Sequence, residues 1–456
     1  MADYPYKMLI YSPENNHRVA WTIDLLFRQL LGQPCQITVR TDEIREYQGP
    51  KLAYSHEPID DIPWIKACGL LFENSIHPQT DHLVKGDLWN GWPVIFAQRN
   101  DLEKTLVPFD ILAATFYFVA RYEEYLPFKP DQHGRFPSHE SLAYRLDVLE
   151  EPIVNRWAIA FSKLLEEHTT LNISILQPKY QFIPTIDVDS AYAFSGKGIL
   201  RTLAGIWKDR RDMEGRNFRF SVLRGNQPDP FDTYNLFRYF HHENPSEPIW
   251  FFQVGKHGRF DKNINPANRN FRQLVKQLSE EFKTGLHPSY ASNIHPSLLL
   301  QEVETLTSMT GQPVIRSRQH YLKIRFPETY QDLLQAGIRE EYSLGFADRV
   351  GYRAGIAIPF RFFDLRENTP TQLMVYPFEV MDTTLRQYMK LDPTQATQLI
   401  QKLIDTTREV GGTFISLWHN ESLSEWKAWR GWSSVYRELI QHAAGPIQTY
   451  GHTVSS

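Results

Sequence analysis

The chain of 456 residues is 42% hydrophobic and 13% aromatic with a formal net charge of −4, the composition of an ordinary soluble globular protein long enough for two or three domains. Neither that charge nor any local Lys/Arg run offers a basic field, so no nucleic-acid partner is expected. Cys35 and Cys68 match neither a zinc-ligand cluster nor a disulfide framework, the first residues carry no apolar leader, and nowhere do 18 apolar residues run together; a cytoplasmic protein without a membrane span is expected.

Residues 7–12 read as a strand, 20–31 as an amphipathic helix ending at Gly32, and 36–39 as a second strand, so the chain begins as an α/β domain. Apolar runs at 69–72 and 92–96 alternate with polar loops. A helix is expected from near Pro108 through Tyr125; aromatics on most of its faces make it a packing element, while Arg121, Glu123 and Glu124 could line an interdomain cleft. Residues 129–137 are punctuated by Pro and Gly as a turn region, and another helix runs from about Pro152 to His168. The boundary is placed near 170–180, giving a smaller N-terminal α/β domain at 1–175 and a second domain at 176–456.

From residue 180 the pattern becomes short apolar strands that end in polar clusters, many followed by a helix, which is the rhythm of a β/α barrel. Strands are expected at 181–186, 249–254, 284–286, 312–317, 373–379 and 413–418, and helices at 268–282, 296–309 and 393–409. The last helix opens with Asp392-Pro393 and stops at Gly411-Gly412. Catalytic groups of such barrels gather at the C-terminal ends of the strands, where Asp187, Asp189, His287, Arg318 and His419 fall.

Thr185-Ile186-Asp187-Val188-Asp189 closes an apolar run with two carboxylates that strand alternation sends to one face. Like charges that close are unfavourable unless a cation or proton sits between them; the bland alternative is an Asp-rich turn after a strand. His287 could ligate a metal beside Asp189, or be a turn residue with a local hydrogen bond. Arg318 could hold a neighbouring carboxylate ionised, or form a surface ion pair. His419 suits a general acid for a leaving amine, and equally a strand cap bonded to backbone.

In order and spacing over roughly residues 180–430, these segments resemble the polysaccharide deacetylases of the NodB-homology type, carbohydrate esterases that remove acetyl groups from glycans. The resemblance implies a distorted (β/α) barrel in which Asp187 is the catalytic base, Asp189 and His287 bind metal, Arg318 orients the base and His419 protonates the leaving group. Val380-Met381-Asp382 matches the fourth motif loosely, so Asp382 either buffers His419 or caps the next helix. Tyr352-Arg353-Ala354-Gly355 is read as a structural turn.

One departure stands out. The family's second motif carries another His four residues after the first, and Ala291 occupies that position. His295 lies two turns further on and poorly placed; His320, beside Arg318 at another strand tip, is the better third ligand. Water completing the site, or a lost metal, are the remaining options. The implied function is a metal-dependent hydrolase, with zinc as the expected ion, removing acetyl groups from amino sugars of a polysaccharide or glycan precursor. Tyr290, Tyr321 and Trp418 could stack on sugar rings. Two rivals stay open: a glycan-binding protein that has lost catalysis, which Ala291 favours, and an assembly scaffold whose working part is the N-terminal domain. That domain resembles an uncharacterised one often fused to bacterial deacetylase-like proteins. The oligomeric state is left open.

Overall fold

Short apolar strands such as Met8–Tyr11 and Ile249–Phe252 are buried on both faces, and the chain accommodates them in two separate, largely parallel sheets. A computed structural model of the chain describes residues 8–83, 88–98, 104–169 and 179–445. The first sheet pairs β1 (Met8–Tyr11), β2 (Cys35–Thr38), β3 (Lys51–Ser55) and β4 (Trp64–Lys66), all parallel, in the order β2-β1-β3-β4. A small antiparallel ribbon follows, β5 (Leu88–Trp89) with β6 (Trp92–Pro93), so only the first two residues of the run at 92–96 are strand. The helix expected at 20–31 starts earlier, at His17, where the Asn16 side chain accepts the Val19 N–H, and widens into π-helical turns over Asp24–Leu30.

The helix expected from Pro108 through Tyr125 breaks in two. Asp110 caps Ile111–Val119, every residue of which is buried, and Arg121 then enters the left-handed region at φ 55° before a tight turn over Tyr122–Tyr125. No Gly or Pro causes the break; a buried ion network accompanies it. Arg121 donates to Glu123 and Glu124 at 2.8 Å each and to the Arg353 carbonyl, while Arg353 donates to Glu124 at 2.9 Å. These residues therefore line no open cleft, and Arg353, read as part of a turn, is a buried ion-pair partner.

The second sheet contains β7 (Gln181–Val188), β8 (Ile249–Phe252), β9 (Lys283–Leu286), β10 (Arg316–Ser317), β11 (Glu340–Glu341), β12 (Phe360–Asp364), β13 (Thr369–Val375), β14 (Val380–Met381) and β15 (Thr413–His419). Their order is β12-β13-β11-β10-β9-β8-β7-β15-β14, parallel except for the β12–β13 hairpin. Three of these strands, β11, β12 and β14, were not expected, and the strand placed at 373–379 lies instead at Thr369–Val375, pulled back by its hairpin partner. No ladder joins β12 to β14 among the described residues; the result is a large mixed α/β sheet, without the closure a barrel requires. The expected helices are present as Arg269–Glu281, Pro296–Thr310 and Pro393–Glu409, the last with a capping box of Asp392 and Gln395. Between β7 and β8 stand Ile199–Lys208, Met213–Leu223 and Tyr234–Glu243. No helix among the described residues is long and apolar enough to cross a membrane.

The boundary expected near 170–180 falls largely on residues 170–178, outside the described residues. One apolar core runs across both sheets: Trp21 and Phe116 from the first part pack edge-on against Phe363 of β12, with ring centres 5.5 and 5.1 Å away. Close to the site, Gly285 in β9 permits a tight approach, since a Cβ there would lie 2.6 Å from the Phe251 ring and 2.8 Å from Arg316.

Candidate active site

Parallel strands deliver their C-terminal ends to one rim, and a cavity of about 330 Å³ opens there. Asp187 and Asp189 reach it from β7, His287 follows β9, His320 follows β10, and His419 ends β15 directly beside Asp187 in the strand register. Arg318 lies behind the wall, fully buried.

Asp189, His287 and His320 form a tight group whose ligand atoms all lie within 4.8 Å of one another. His287 Nδ1 donates to the Arg318 carbonyl at 2.6 Å, which leaves its Nε2 lone pair facing Asp189 Oδ1 at 3.0 Å. Neither of those facing atoms has a hydrogen-bond partner among the described residues. His320 is held the same way: its Nδ1 donates to Asp261 at 2.9 Å, and its Nε2 lies 3.4 Å from Asp189 Oδ2. Asp261 is fixed in turn by the Tyr290 N–H at 2.8 Å and the Gln253 amide at 3.0 Å. Two imidazoles anchored through their far nitrogens, with buried ligand atoms aimed at one point, fit a divalent ion with an open coordination position. Burial opposes the charge on Asp189, but His320 and His287 outweigh it and hold the carboxyl well below the usual carboxylate range. Burial likewise lowers His320, yet Asp189 and Asp261 push it up to about 9, so this corner attracts positive charge.

Asp187 is almost wholly buried, with Oδ2 3.8 Å from Arg318 Nη1 and 3.9 Å from His287 Nδ1, and with Oδ1 unpartnered among the described residues. The guanidinium of Arg318 sits between the Phe251 and Phe378 rings, 5.2 Å from each centre, and donates to Thr185 Oγ1 at 2.8 Å. Thr185 passes a hydrogen bond on to the Ser416 carbonyl, so the cation is clamped to the two strands that carry Asp187 and His419.

Asp382, at the end of β14, is fully buried and faces His419: one oxygen accepts from Nδ1 and the other from the His419 backbone N–H, both at 2.8 Å, while Ser422 donates to the latter oxygen. Burial alone would lower the imidazole pKa; Asp382, then Asp189 and Asp187, raise it to about 10. The structure thus puts Asp382 to work on His419 rather than as a helix cap.

Other expectations fare differently. His295 is exposed at the start of Pro296–Thr310 and far from ligation. Trp418 is fully buried against Tyr436, on the opposite sheet face from its neighbour His419, so it cannot stack on a ligand in the cavity. Tyr321 lines the cavity, whereas Tyr290 packs on Phe260. Sequence reasoning missed Asp261, whose polar loop follows β8, and Arg135, which reaches the cavity wall from the turn region at 129–137 and donates to the Tyr321 carbonyl at 2.9 Å. The position of Asp261 after a strand was a usable signal; for Arg135 there was none.

Residues 8–170 match a family described as a family of unknown function (DUF7033). No curated protein matches the chain. Among solved structures, a polysaccharide deacetylase by description from Mycobacterium smegmatis is 14% identical with a TM-score of 0.40, over 59% of this chain and 85% of that one. The polysaccharide deacetylase Bc1974 from Bacillus cereus is 12% identical at a TM-score of 0.29, over 57% and 86%. A mutant of BA3943, described as a CE4 family pseudoenzyme with restored enzymatic activity, is 11% identical at a TM-score of 0.26, over 60% and 74%.

Proposed function

We propose that this chain is a metal-dependent hydrolase that removes acetyl groups from amino sugars of a polysaccharide or glycan precursor. The observation that carries the reading is the convergence, around one cavity, of three ligand atoms with two orphaned members, a carboxylate beside a buried Arg, and an imidazole backed by a buried carboxylate. Asp189, His287 and His320 would hold the ion, with zinc favoured by the two nitrogens and one oxygen. When bound, it supplies a Lewis acid and lowers the pKa of water.

Asp187 is the general base: its unpartnered Oδ1 is free to take the proton of the attacking water, and Arg318 keeps a positive charge 3.8 Å from Oδ2. Thr185 and the two Phe rings prevent Arg318 from swinging away. His419 carries the proton that the departing amine needs, and Asp382 fixes its tautomer so that Nε2 is the donor. Acyl transfer then ends with acetate and a free amine, the proton having come from His419.

Elemental analysis of protein purified without chelators, paired with acetate release from acetylated chito-oligosaccharides, tests the reading. About one equivalent of divalent metal with turnover that Asp187→Asn abolishes is the expected result. Glycan binding without turnover would make the chain a binding protein, and failure to take up zinc would remove the hydrolase reading.

A further inference from the structure

The helix Ile199–Lys208 is inside out for a globular protein. None of its residues is buried, and its large apolar side chains face solvent: Ile199 is 79% exposed, Leu200 83%, Leu203 57% and Trp207 67%. At 100° per residue these four fall within an arc of about 100°. The polar flank is the one tied to the protein, for Arg201 donates to the Asn263 and Lys262 carbonyls at 2.8 Å each. The next helix, Met213–Leu223, adds Met213 at 59% exposure.

Charge singles out the same segment. Residues 197–224 contain eight basic and three acidic residues in a chain whose net charge is −4. Of the eight, Arg219 alone is ion-paired among the described residues, with Asp209. Arg210 lies over the Trp207 ring, 3.9 Å from its centre, which places a cation at the edge of the apolar stripe. An apolar stripe with a Trp, rimmed by unpaired Arg and Lys, is the chemistry of a helix lying in a bilayer interface. A second copy of the chain fits less well, since two such cationic segments repel.

We infer that residues 197–224 dock the protein on the surface of an anionic lipid bilayer, with the stripe of Ile199, Leu200, Leu203 and Trp207 entering the headgroup boundary. Lys197, which opens the segment, also lines the active-site cavity, so docking brings the cavity mouth to the lipid surface. The inference does not rest on the hydrolase reading, and its test needs no turnover.

Flotation of the full chain with phosphatidylcholine vesicles, alone and with about 30 mol% phosphatidylserine, reads the docking directly. The chain should float with the anionic vesicles, release as salt rises, and lose about tenfold or more in affinity in the triple variant Leu200→Gln, Leu203→Gln, Trp207→Gln. These side chains are exposed, so the melting temperature should stay unchanged. If the triple variant misfolds, the pair Arg210→Gln, Arg211→Gln should show a similar loss. No flotation of the wild type with anionic vesicles, or flotation that well-folded variants match, overturns the inference. So does a concentration-dependent dimer that the triple variant dissolves in the absence of vesicle binding.

Discussion

Asp382→Asn keeps the size of the side chain that faces His419 Nδ1 at 2.8 Å but removes its charge. At that distance and an effective dielectric of about 20, the lost attraction is about 6 kcal/mol, or roughly 4 pKa units. The imidazole stands at about 10 against an ordinary 6.5, so the variant should return it to near 6.5 or below, with burial then opposed only by Asp189 and Asp187. Glu421 also lines the cavity, but burial raises its own pKa, so it compensates little. A raised pKa keeps the proton on through neutrality and gives it up as the pH climbs through 10; a pKa of 6.5 leaves about 3% protonated at pH 8. With His419 as the proposed acid, kcat/KM for an acetylated chito-oligosaccharide should fall about thirtyfold at pH 8 and less than twofold at pH 6, and the basic limb of the profile should move down by about 3.5 units. Parallel profiles, with the same loss at every pH, would refute the role of Asp382 as the source of that proton affinity and leave it a merely structural residue.

Three further outcomes follow from the same geometry. Asp261→Asn removes the acceptor behind His320 Nδ1 and should weaken zinc binding by about 10–100-fold in a competition titration, whereas His320→Ala should leave well under one equivalent bound. Gly285→Ala places a methyl 2.6 Å from the Phe251 ring and should destabilise the fold by about 1–3 kcal/mol in denaturant unfolding. His241, held between Ser246 and Tyr436, is pushed by burial down to about 4. Its unfolded form takes up a proton first, so stability should be intact above pH 6.5 and fall by about 3 kcal/mol as the pH drops toward 4; His241→Gln should flatten that slope in urea titrations.

The acidic pair at the end of β7 was legible because a strand's two-residue period and the charge repulsion between carboxylates are both local facts. The long helices were legible for the same reason, through their apolar spacing and caps. The hairpin of β12 and β13 was not, since its register is set by pairing Phe360 with Val375 rather than by either segment alone. Nor was the break at Arg121, which accompanies a guanidinium bonded to Arg353 more than two hundred residues away. Trp418 shows a misused signal: alternation that aims His419 into the cavity must aim its neighbour out of it. His320 was legible from its strand tip, while Asp261, which accepts from its Nδ1, needed a distance in space.

The ladder between β7 and β15 joins Gln181 to Thr413 and Asp187 to His419. During synthesis, β7 emerges with one flank empty and waits for more than two hundred residues before the strand that fills it leaves the ribosome. Until then the nascent chain carries an apolar, unpaired edge, with Asp187 lacking its neighbour His419, a window open to misassembly. The two strand ends that set Asp187 beside His419 therefore come together only after the more than two hundred residues between them have been made.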